Sequence, residues 1–72
     1  MERRGVEGTV TAFDEHAGHG RVRSRDGREL FFHCTAIAGG SRTIEVGAAV
    51  TFTVRAGHHG AWEATEVAPA PA

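Results

Sequence analysis

The 72-residue sequence contains no lysine and no tyrosine, and only one cysteine, one tryptophan and two prolines. With Cys34 alone, an internal disulfide is excluded, and stability must come from an apolar core. Apolar runs extend only a few residues, which excludes a membrane-spanning helix and a signal-peptide core; a cytoplasmic protein with no membrane association is expected. In the absence of lysine, all eight basic residues are arginine, against nine acidic ones. The net charge of −1 argues against a strong polyanion binder on bulk electrostatics alone. What is present is the composition of a globular chain, 40% hydrophobic and 24% charged. At this length one small domain is expected, burying only about 60% of the surface that its unfolded chain exposes and leaving little volume for an enzyme cleft.

Apolar and polar residues alternate from Val6 to Phe13 and again through Thr51-Phe52-Thr53-Val54, the period of half-buried strands. Glycine and Asp-Gly signals separate such stretches, and strands are predicted near 6–13, 19–24, 29–34, 48–55 and 61–67. One helical turn is allowed at Thr35-Ala36-Ile37-Ala38, while the glycines that follow oppose a longer helix. The chain is divided into a charged arm at 1–5, a domain at 6–67 and an Ala/Pro tail at 68–72 expected to be disordered.

The second and third strands can be registered by chemistry. A two-residue Asp26-Gly27 turn would mix core and charged residues on both faces. A three-residue loop Arg25-Asp26-Gly27, with Gly27 at positive φ, instead sets Val22 opposite Leu30 and Gly20 opposite Phe32 on a buried face. It sets Arg23 opposite Glu29, Arg21 opposite Phe31 and His19 opposite His33 on the outer face. Solvent-facing Phe31 forgoes part of the roughly 1.5–3 kcal/mol that burial of a phenyl ring contributes. Two readings of this face stand: a platform on which unpaired bases stack between ring, imidazole and guanidinium planes, or Arg21 lying across Phe31 to shield it.

The segments Gly8-Thr9-Val10-Thr11-Ala12-Phe13-Asp14, Ala17-Gly18-His19-Gly20-Arg21-Val22 and Leu30-Phe31-Phe32-His33-Cys34 together resemble a bacterial cold-shock domain. Thr35-Ala36-Ile37, Arg42-Thr43-Ile44, Gly47 and Val50-Thr51-Phe52 continue the similarity over about residues 6–67. The resemblance implies an all-β, five-stranded antiparallel barrel of the oligonucleotide-binding (OB) fold that binds single-stranded RNA or DNA on one aromatic face. It also implies a role in cold or stress adaptation.

The departures from the family pattern fall on that face. Thr11-Ala12-Phe13 stands where the family usually carries Lys-Trp-Phe. His19 and Arg21 occupy the positions of two phenylalanines, Cys34 replaces a further aromatic, and Ser41 lies where many members place another phenylalanine. Each base–aromatic stack contributes about 1–3 kcal/mol, so the binding expected is weak and of low sequence specificity. Phe13, Phe31, His33 and Trp62 are assigned to base stacking, with Trp62 open between platform and core. Arg21, Arg23, His19 and His59 are assigned to phosphate contact or planar stacking.

Rival chemistries are weaker. Five histidines and Cys34 show no paired ligand spacing, so neither a metal nor any other cofactor is expected. Neighbours on a strand point to opposite faces, which separates His33 from Cys34 as a base–nucleophile pair and argues against an enzyme. A monomer is expected. The competing function is a barrel that has exchanged nucleic acid for a protein partner, consistent with the missing aromatics and lysines.

Overall fold

The computed structural model describes residues 3–57 and 61–71. Five strands, β1 (Arg3–Asp14), β2 (His19–Ser24), β3 (Glu29–His33), β4 (Ala49–Ala56) and β5 (Trp62–Pro69), close into a barrel in the order β1-β2-β3-β5-β4. Short 3-10 turns at Cys34–Ala36 and Ala38–Gly40 follow β3, where one helical turn was expected. Among the described residues no helix is long and apolar enough to cross a membrane.

The all-antiparallel expectation needs one refinement. The ladders β1–β2, β2–β3, β4–β5 and β1–β4 are antiparallel, whereas β3 meets β5 in a short parallel contact at Phe31 and Glu63. An odd number of strands in a closed ring cannot alternate direction throughout, so one seam must be parallel, and it falls beside Phe31.

Alternating residues fill the barrel. Val10, Val22, Leu30, Phe32, Val50, Phe52, Val54, Ala64 and Val67 line the core, and Ile37 packs over it from the segment between the 3-10 turns. In β2 and β3 the buried set is Gly20, Val22, Ser24, Leu30 and Phe32, which is the inner face of the predicted register. The ladder pairs are His19–His33, Gly20–Phe32, Arg21–Phe31, Val22–Leu30 and Arg23–Glu29. Gly20 is required by space: a Cβ there would lie 2.9 Å from both the Phe13 and the Phe32 rings.

The connecting turn is held as its sequence dictates. Gly27 has φ 93°, the left-handed region that glycine enters without a Cβ penalty. The Ser24 hydroxyl donates to Asp26 Oδ1, and the Arg28 amide N–H donates to that same oxygen at 3.2 Å. The Ser24 hydrogen bond, followed by those of the Arg28 backbone and the Arg28 charge, holds the Asp26 carboxyl below the usual carboxylate range.

Two bulges alter the faces that simple alternation predicts. In β1 the register shifts between Val10, opposite Val22, and Ala12, opposite Arg21. Thr11 is the extra residue, and its hydroxyl donates to the Arg21 carbonyl at 3.3 Å. Strict alternation from buried Val10 would turn Phe13 outward; the bulge returns it to the inner side, opposite Gly20 and stacked on Phe32 at 6.0 Å. In β5 the extra residue lies at Glu66, which has φ 52°, and buried Thr53 donates from its hydroxyl to Glu66 Oε2 at 2.9 Å. The bulge keeps both Ala64 and Val67 inside, although they are three residues apart.

The terminal boundaries also differ from expectation. Arg3 already pairs with Val54, so the arm enters the sheet before residue 6. Ala68 and Pro69 pair with Thr51 and Val50, and the Ala70 N–H donates to the Ala49 carbonyl at 2.9 Å. Pro69 is tolerated because the hydrogen bond to β4 at this end is made by the Ala70 N–H, so the missing Pro69 donor breaks no ladder bond.

Candidate functional site

The outer face of β2 and β3 collects the side chains that the register turns away from the core. Phe31 is half-buried, with its ring in contact with two imidazoles: His19 at 5.3 Å and tilted by 39°, His33 at 4.8 Å and edge-on at 89°. The two imidazoles share one rung of the ladder as cross-strand partners, next to the rung on which Arg21 faces Phe31. Leu30 and Phe32, its neighbours in sequence, are 3% and 0% exposed, so the ring row and the core lie on opposite sides of one strand.

Arg21 engages Glu29 rather than closing over Phe31. Arg21 Nη1 lies 3.5 Å from Glu29 Oε1, and Arg23 Nη2 lies 3.3 Å from Glu29 Oε2, so one carboxylate bridges both guanidiniums. The arginine side chains remain 63% and 60% exposed, and exposed pairs of this kind hold their partners weakly. Arg25 turns elsewhere and pairs with Glu7 at 2.7 Å.

Trp62, the first residue of β5, is 39% exposed and is not a core filler. It lines a shallow cleft of about 220 Å³ together with Arg21, Glu29 and Phe31. The structure thus brings His19, Arg21, Arg23, Phe31, His33 and Trp62 to one continuous surface. Phe13 is not part of it, because the Thr11 bulge commits its ring to the end of the core. His59 lies outside the described residues.

Sequence reasoning missed the other flank of this surface. A groove of about 420 Å³ begins at His33 and is lined by Thr35, Arg55, Gly57, Glu63 and Thr65. Alternation with buried Phe52 and Val54 signals that Arg55 faces outward. Which residues it faces is decided by the β4–β5 register, which pairs Arg55 with Glu63.

A closed five-stranded barrel is the fold the sequence resemblance implied. Residues 6–70 match the 'Cold-shock' DNA-binding domain family. The chain belongs to the cold-shock domain family. Its relatives include major cold shock proteins of Streptococcus pyogenes serotypes M18, M1 and M3, each 36% identical over 56 residues that span 76% of this chain and 84% of the relative. Within this cold-shock domain, His19, Arg21 and the Glu29 shared by Arg21 and Arg23 stand on the outer face of β2 and β3.

Proposed function

We propose that this cold-shock domain binds single-stranded RNA or DNA across the outer face of β2 and β3, weakly and with little sequence preference. Membership of the family supports nucleic-acid binding in a cold or stress context. One observation carries the single-strand reading: a half-buried phenyl ring in contact with two imidazoles, on the same surface as Trp62 and two exposed guanidiniums. Ring planes accept any base, and the guanidiniums attract phosphate, which gives affinity without base readout. Phe31, His33 and Trp62 serve as stacking partners, Arg21 and Arg23 meet phosphates, and His19 contributes a further planar group. His59, which lies outside the described residues, belongs to the same proposal from the sequence alone. A cytoplasmic site of action and a monomeric state fit this role. Double-stranded DNA is a poor target, since among the described residues no α-helix is available to enter a major groove.

The alternative, a protein-interaction surface, is favoured by Glu29, which offsets the two arginines that a polyanion would use. Titration of a fluorescent single-stranded oligonucleotide at low and moderate salt separates the two. The nucleic-acid reading expects micromolar binding that weakens as salt rises. It also expects Phe31→Ala to weaken binding about 5- to 150-fold, the equivalent of one lost stack, and Arg21→Glu to weaken it further at low salt. Absence of binding at low salt would transfer the face to a protein partner.

A further inference from the structure

We infer that the groove between His33 and Arg55 is a phosphodiester subsite that receives the nucleic-acid backbone where it leaves the ring row. This rests on the proposed function and extends it to a residue, Arg55, outside the β2–β3 hairpin. Three features of the groove carry the inference.

The first is continuity. The groove begins at His33, whose imidazole is edge-on to Phe31, so a strand stacked on Phe31 runs into it without crossing the barrel. The parallel seam that pairs Phe31 with Glu63 brings the start of β5 alongside β3 and joins the two surfaces. The second is donor chemistry. Arg55, His33 and the hydroxyls of Thr35 and Thr65 line the groove, and guanidinium and hydroxyl groups are the usual partners of phosphate oxygens. Among the described residues His33 is the only ring lining it, so these residues offer no paired walls for a base. A backbone segment fits this lining better than a stacked nucleotide.

The third feature is Glu63, which sets the sign of the test. Among the described residues it is the one carboxylate lining the groove, and it is the ladder partner of Arg55. Its side chain lies against Gly57, where a Cβ would collide with it, so its position in the groove depends on that glycine. Arg55 and Glu63 form no ion pair among the described residues, where the pairs are Arg21–Glu29, Arg23–Glu29 and Arg25–Glu7. The guanidinium is thus not consumed by its neighbour, and the carboxylate opposes an entering phosphate by charge alone.

Length separates this subsite from the ring row. An oligothymidine of about three nucleotides engages the stacking row, whereas one of about eight, within the range that a single barrel of this fold accommodates, also reaches the groove. Binding of both is measured by fluorescence anisotropy across a salt series for the wild type, Arg55→Gln and Glu63→Gln. Arg55→Gln is expected to weaken the octamer about three- to tenfold and leave the trimer within about twofold; it should also reduce the salt slope of the octamer by about 0.7, the value for one phosphate contact on a single strand. Glu63→Gln is expected to tighten the octamer about two- to fivefold and leave the trimer unchanged. Loss confined to the octamer with the reduced slope supports the subsite. Equal effects on both lengths, or an unchanged octamer and slope, overturn it while leaving the stacking face intact. A wild type that binds neither length overturns the subsite together with the proposed function.

Discussion

The β2–β3 and β4–β5 hairpins are neighbouring parts of the same barrel, but they are determined in different ways. β2–β3 has an uninterrupted ladder and a turn whose bonds are local: Gly27 at φ 93° and the Ser24, Asp26 and Arg28 hydrogen bonds. Its two faces separate cleanly, with Leu30 and Phe32 inside and the rings and arginines outside. β4–β5 contains a bulge at Glu66, and this bulge determines which of its residues face inward. In the first hairpin, face follows from parity and turn chemistry. In the second, face follows from where an extra residue is absorbed. The functional surface draws on both, so its centre is legible from pattern and its flank is not.

The sharpest way to break this account is to compare adjacent positions in β3. Phe32→Ala empties the barrel centre and should cost about 3–5 kcal/mol, a large share of the 5–15 kcal/mol typical of a small domain. Phe31→Ala should cost about 1 kcal/mol or less, because its ring lies on the outer face. Urea denaturation of the two variants measures the difference. Comparable losses would mean that the faces are not separated as described.

A smaller effect is expected from Glu29→Gln. Releasing Arg21 and Arg23 from their shared carboxylate should tighten binding of a single-stranded oligonucleotide about two- to fivefold and steepen its salt dependence, in keeping with the modest strength of exposed pairs. Weaker binding in this variant would show that Glu29 contacts the ligand directly instead of competing with it.

The smallest effect concerns the turn. The Asp26 carboxyl titrates below its usual range, so the folded state binds fewer protons than the unfolded chain as pH falls toward that range. Its contribution is therefore present above the ordinary carboxylate range and is lost as pH drops through the folded value. Denaturation midpoints of the wild type and Asp26→Asn, measured from about pH 5 to about pH 2.5, should converge on acidification. A constant difference would remove the ionised carboxylate from the stability of the turn.

Particular residues show where sequence reasoning succeeds and where it ends. The pairing of Arg21 with Phe31 and of His19 with His33 was readable because, of the two turn lengths the residues allow, only the three-residue loop gives one face free of charged residues. The placement of Phe13 was not readable. A single inserted residue at Thr11 reverses parity, and its stabilisation comes from the Arg21 carbonyl on the adjacent strand. Trp62 remained open for a related reason, since its neighbours belong to β2 and β3 and are set by the parallel seam. The pairing of Ala68 and Pro69 escaped detection because small residues and proline carry little strand signal, and their partners lie in β4.

The sequence by itself determined the strand count, the buried face of Gly20, Val22, Leu30 and Phe32 and the outward row of His19, Arg21, Arg23, Phe31 and His33, because alternation and turn chemistry act over a few neighbouring residues. Tertiary structure alone decided that Phe13 joins the core, that Trp62 stands beside Phe31, that Glu29 bridges two arginines and that Arg55 opens onto the groove at His33. Those relations depend on bulges and on barrel closure, whose energies come from strands distant in sequence.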